Sequence, residues 1–173
     1  KAVPAMDRPF LALHDEQTSS ETHYSPSAQE ELRLALGQAL AVSLETDTLR
    51  PLGAWLDDEI IEAALDRCGG DTRGAAGYLQ TRNRNIGRWM PRVIEREQER
   101  ESSLLWQESR RLVREWVLDS APPEIAPQLL AQDMLMSLVL QQCGELSVVD
   151  RAKIMGVSTP TYQKRVKQLL QDI

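Results

Sequence analysis

Arg73, Arg82, Arg84, Arg88 and Arg92 lie between Thr72 and Ile94, and Arg151, Lys153, Lys164, Arg165 and Lys167 lie between Arg151 and Gln171, with no acid in either window. The whole chain has 20 basic and 26 acidic residues and a net charge of −6, so everything outside these two windows sums to −16. Cations gathered into acid-free segments neutralise phosphates, so the chemistry they suit is binding to a nucleic-acid backbone. The alternative is two solvated helix faces, which is harder to sustain when the pattern occurs twice. No other residue set suggests a reaction. Walker loop, nucleophile elbow, metal motif and paired-carboxylate signature are all missing from the sequence, so neither catalysis nor a cofactor is expected. His14 and His23 lack an accompanying Cys or carboxylate cluster, which argues against a metal site. Cys68 and Cys143 each close an apolar stretch just before a glycine. They read as buried small hydrophobes in a reducing cytoplasm.

The elements that must position the basic residues are helical. Ala, Leu, Glu, Gln and Arg dominate, aromatics are 5%, and β-branched runs are nearly absent, which predicts an all-α protein. No apolar run approaches a membrane span. The chain begins at Lys with no signal-peptide pattern and reads as a piece of a larger polypeptide. Residues 1–26, with Pro4, Pro9, Pro26 and a polar run, read as a linker.

Leu32, Leu36, Ala39 and Leu40 predict a helix over Ser27–Leu44. A second helix is expected from an N-cap at Asp57 to Cys68, ended by Gly69-Gly70. Asp71 can cap a short helix, Thr72–Leu79. Gln80-Thr81-Arg82 then forms a turn, and a further helix runs from Asn83 to about Ile94, with a bend or an end at Pro91. Arg92–Leu118 reads as one long helix or two broken near Pro91. Ser120–Pro123 is a break, and Pro127–Cys143 is the next helix. Ser147 caps a short helix ending at Met155, Gly156 supplies a left-handed turn residue, and Ser158 caps the last helix.

The order of elements therefore occurs twice, with a period of about 76 residues. The expectation is two tandem four-helix units, 27–94 and 95–173, each ending in a helix-turn-helix. Units of this size have thin cores, so they should pack on each other or on a partner.

The first unit resembles the Fis-type DNA-binding domain at the C-terminus of sigma-54-dependent transcriptional activators. The resemblance rests on the apolar helix Ile60–Leu65, on Gly69-Gly70-Asp71 in place of Gly-Gly-Asn, on the pair Ala75-Ala76, on Leu79-Gln80 in place of Leu-Gly, and on Ile86 in the recognition helix. In the second unit Met155-Gly156-Val157-Ser158 fits the turn and Tyr162 takes the Leu position. Arg151-Ala152 replaces the Ala pair, and one extra residue follows Gly144. Gln80 must take a positive φ without being glycine, or the turn must differ, which marks the first turn as a departure from the family.

This resemblance implies a bacterial, cytoplasmic regulator that binds double-stranded DNA specifically and, in its full-length form, works with RNA polymerase and its sigma factor. By position, the outward residues of the first recognition helix are Arg82, Asn83, Arg84, Asn85 and Arg88. Those of the second are Ser158, Thr159, Thr161, Gln163 and Lys164. Arg pairs with guanine, Asn or Gln with adenine, and Thr touches the thymine methyl. Arg73, Arg92, Lys153, Arg165 and Lys167 suit phosphate contacts. Trp89, beside Arg88, reads as core packing. The family dimerises through the two helices before its helix-turn-helix, which here implies an intramolecular pseudo-dimer relating Cys68 to Cys143, or a homodimer. The competing reading is a helical interaction or dimerisation module of a regulator, with one or both units no longer binding DNA.

Overall fold

Eight α-helices, one 3-10 turn and no strand occupy the described residues, 26–46, 48–120 and 124–172, of a computed structural model of the chain. The all-α expectation is met. The linker expected over residues 1–26 lies outside the described residues, as do His14 and His23, except that Pro26 opens the first helix.

Helix α1 (Pro26–Glu45) buries Leu32, Ala35, Leu36, Ala39 and Leu40, the stripe that its 3-4 spacing predicts. Helix α2 (Leu52–Arg67) is buried nearly all round. It starts five residues before the expected cap at Asp57, which is instead an interior residue. Pro51 supplies the start, because its missing N–H falls where a helix has no internal acceptor.

Helix α3 (Thr72–Leu79) is capped by the Asp71 carboxylate, which accepts from Arg73 N and Gly74 N. Helix α4 (Asn83–Ser102) does not stop at Pro91. A proline frees the carbonyl four residues back, here that of Gly87, and both Pro91 and Gly87 face solvent, where water can satisfy it. The break expected at Pro91 lies at Ser103, and the 94/95 boundary falls inside α4. A 3-10 turn (Leu104–Trp106) leads to α5 (Gln107–Asp119), followed by α6 (Pro127–Gln142), α7 (Val148–Met155) and α8 (Thr159–Gln171).

Helices α1 and α2 find their main partners in α5 and α6, not in each other. All four feed one hydrophobic core, in which Trp55 of α2 meets Trp106 edge to face at 5.6 Å. Helix α2 is the hub, since α3, α4 and α7 also pack on it. Its first turn meets the end of α7 so closely that a Cβ on Gly53 would collide with the Met155 carbonyl.

The two halves correspond in part, although α1 and α4 have 20 residues where α5 and α8 have 13. Helices α2 and α6 both have 16 residues, and α3 and α7 both have 8. The buried set of α1 (Leu32, Ala35, Leu36, Ala39, Leu40) has a counterpart in α5 (Ser109, Leu112, Val113, Trp116, Val117). Asp57 and Gln132 are each the sixth residue of their helix, and they touch, with Gln132 Nε2 donating to Asp57 Oδ1 at 3.0 Å.

Candidate nucleic-acid interface

Each acid-free window folds as a short helix, a tight turn and a second helix. In the first, Gln80 takes φ 55° and ψ 46°, and Thr81 N donates to Ala76 O at 2.9 Å. In the second, Gly156 takes φ 69° and ψ 30°, and Val157 N donates to Ala152 O at 3.1 Å. Both are left-handed closures that satisfy the last carbonyls of the short helix and redirect the chain. Buried Ala75 and Ala76 let α3 sit close to α2, and buried Ala152 does the same service in α7. The next helix begins three residues after the left-handed residue in both copies, at Asn83 and at Thr159.

Arg82, Asn83, Arg84 and Arg88 are exposed along the start of α4, with Arg92 one turn further on. Gln163, Lys164 and Lys167 are exposed along α8, while Arg73 and Lys153 are exposed on α3 and α7. Among the described residues, none of these cations, nor the half-buried Arg165, forms an ion pair. No carboxylate among the described residues pairs with them directly.

Other candidates serve the turns. Asn85 is half-buried and donates to Thr81 Oγ1 at 2.9 Å. Ser158 Oγ accepts from Thr161 N at 3.3 Å and donates to Thr161 Oγ1 at 2.9 Å, closing the first turn of α8. Thr159 is half-buried beside them. Arg151, in the second window, donates to the carbonyls of Leu146 and Gly144 and braces the loop before α7. Trp89 is half-buried against the core, with one side on a cleft.

Composition and spacing did not reveal what holds α4 in place. Four carboxylates on α2 (Asp58, Glu59, Glu62, Asp66) face four arginines, Arg96 and Arg100 of α4 and Arg110 and Arg114 of α5. Arg100, fully buried, reaches Asp58 at 3.3 Å, Glu59 at 2.8 Å and Glu62 at 2.6 Å, and donates to Val93 O at 3.0 Å. Burial opposes the Arg100 charge, but Glu59 and Glu62 outweigh it and hold its pKa above the ordinary value. Arg96 forks onto Asp58 with two contacts of 2.7 Å. Glu59 is also met by the Trp106 indole N–H at 3.1 Å, by Arg110 at 3.3 Å and by Arg114 at 3.4 Å. The one available signal was acids interrupting an apolar helix, at Asp58, Glu59 and Glu62, with Arg96 and Arg100 one turn apart elsewhere.

At the α2 end, Arg67 donates to the carbonyls of Val117 at 2.6 Å and Ser120 at 2.9 Å and lies 4.7 Å over the Tyr78 ring. It ties α3 to the C-terminus of α5. Among the described residues, no cluster of His, Cys, Asp and Glu could hold a metal ion, and no helix is long and apolar enough to cross a membrane. No family model, curated protein or solved structure matches the chain.

Proposed function

We propose that this chain is the specific DNA-binding part of a bacterial transcriptional regulator of the sigma-54 activator type, and that it acts in the cytoplasm through two Fis-type helix-turn-helix units. One observation carries the reading: two turns of the same left-handed closure each present a helix whose exposed cations form no ion pair among the described residues. A net-negative protein that leaves these cations unpaired, while pairing Arg96, Arg100, Arg110 and Arg114 inside, keeps its positive charge for an outside anion. The repeat supports an intramolecular pseudo-dimer, because helices that would pair between protomers pair here between units, and Asp57 meets its counterpart Gln132. Binding does not call for catalysis or a cofactor. Polymerase contact belongs to the full-length protein.

The decisive experiment selects DNA from a random pool and measures affinity against salt. Arg84→Ala, Arg88→Ala and Lys164→Ala should each cost about 1–3 kcal/mol on the selected site and leave thermal unfolding unchanged. Affinity should fall steeply with salt, as expected when several phosphates are neutralised. Retention of full affinity by all three variants overturns the assignment. Loss in Lys164→Ala alone assigns DNA reading to the second unit and packing to the first. Salt-independent capture of a protein instead of DNA establishes the interaction-module reading.

A further inference from the structure

A cleft of about 870 Å³ opens where α2 crosses α6, walled by α4 on one side and α8 on the other. This lies within the range of roughly 300–1,000 Å³ typical of small-molecule sites. Its chemistry is two-sided. On the floor, Gln132 is 8% exposed; its Nε2 is spent on Gly53 O at 2.8 Å and on Asp57 Oδ1, and its Oε1 has no partner. The Asp57 carboxylate beside it is held by neutral amides and forms no ion pair among the described residues. Among the described residues neither accepts a hydrogen bond from a charged donor, although Arg165 lies near enough to favour the Asp57 charge through space, and a buried acceptor left unmade is costly. On the walls, Arg92 of α4 and Arg165 of α8 form no ion pair among the described residues, though Arg165 lies near Asp57 and Asp133. Ile61, Met136 and the side of Trp89 supply an apolar surface between them.

Unpaired charges of both signs in one cleft describe a ligand carrying both. We propose that the cleft binds a small zwitterion of the α-amino-acid class, with its ammonium on Asp57, its carboxylate toward Arg165 and Arg92, and its apolar side chain against Trp89, Ile61 and Met136. The remaining charged groups facing the cleft do not compete for the ammonium on the floor. Arg96 and Asp58 are paired with each other, and Asp133 and Asp172 are exposed, with Asp133 near enough to Arg165 to feel its charge. The site stands independently of the DNA reading. If that reading also holds, occupancy bridges α4 and α8 and sets the spacing of the two basic helices.

Calorimetry on the 173-residue chain without DNA tests the site directly. L-phenylalanine and L-leucine are titrated alongside 2-phenylethylamine, which lacks the carboxylate, and 3-phenylpropionate, which lacks the ammonium. At least one amino acid should bind saturably, and for phenylalanine each half-analogue should bind at least about tenfold more weakly. Asp57→Asn keeps the side-chain shape and the Gln132 bond; it should abolish amino-acid binding while leaving any 3-phenylpropionate binding unchanged. Arg165→Gln should do the converse with 2-phenylethylamine. Circular dichroism melts confirm that both variants fold. The proposal is overturned by absence of saturable heat for both amino acids up to about 10 mM, by a half-analogue that equals phenylalanine, or by amino-acid binding indifferent to Asp57→Asn. If either variant fails to fold, competition of phenylalanine by both half-analogues on the parent chain decides, and competition by neither sinks the proposal.

Discussion

Gln80 adopts the left-handed conformation that glycine takes at Gly156, and the two residues close equivalent turns. A side chain there costs about 1 kcal/mol in backbone strain, offset in part by Gln80 Nε2 donating to Glu124 O at 3.1 Å. Gln80→Gly should therefore stabilise the chain by roughly 0.5–1 kcal/mol in urea unfolding. Gly156→Ala should do the opposite, and by more, because its Cβ would also press on Ala54.

Asp57 makes a second prediction at this scale. Burial pushes its pKa from 3.8 up to about 6, against the partial opposition of Gln132 and Arg165. A folded value above the unfolded one favours the fold while the group is protonated, so this contribution is full below pH 3.8 and is lost as pH rises through about 6. Asp57→Asn should thus match the parent below the lower value and exceed it at pH 8 by about 1–3 kcal/mol. A constant difference across that window would reject the assignment.

Among the elements, α4 shows how a helix survives an interior proline. The first part of α4 presents the exposed cations, and its far end is anchored by Arg96 and Arg100 on the carboxylates of α2. Removing one partner of a buried network strands the others, so Arg100→Met should destabilise by about 3–5 kcal/mol in denaturant. Arg111, whose pairs with Glu108 and Glu115 are exposed, should tolerate Ala with no measurable change in midpoint. Helix α8 ends at Gln171 without such an anchor. Amide exchange should accordingly be faster along the C-terminal half of α8 than along that of α4.

At the scale of the whole molecule, the interlocked packing of α1 and α2 with α5 and α6 bears on assembly. Two units joined in one chain raise each other's local concentration far above that of a separate partner. Sedimentation should find a monomer, and scattering a single body instead of two extended lobes. Footprinting should find two adjacent half-sites about 34 Å apart, one helical turn. The half-sites should differ, since Arg84 and Arg88 face outward on one helix and Gln163 and Lys164 on the other. A palindromic site bound by a dimer of two-lobed chains would rule this arrangement out.

Much of the fold was written locally. The spacing of Leu32, Leu36 and Leu40, the caps at Asp71, Ser147 and Ser158, and the left-handed residue at 156 depend on neighbours within a few residues, and they stand where the sequence placed them. The two acid-free windows were likewise a property of the linear chain. Tertiary structure decided what depends on distant partners. Asp57 became an interior residue because Pro51 could start α2 earlier, and its burial came from α6, 75 positions along. Pro91 did not end α4, because α2 supplied carboxylates to hold the helix beyond it. Asn85 turned to the Thr81 hydroxyl, Ser158 and Thr161 turned to one another, and the candidate cations other than half-buried Arg165 were left exposed. The cleft between α4 and α8 follows from how two units cross, a relation between segments that no local pattern encodes.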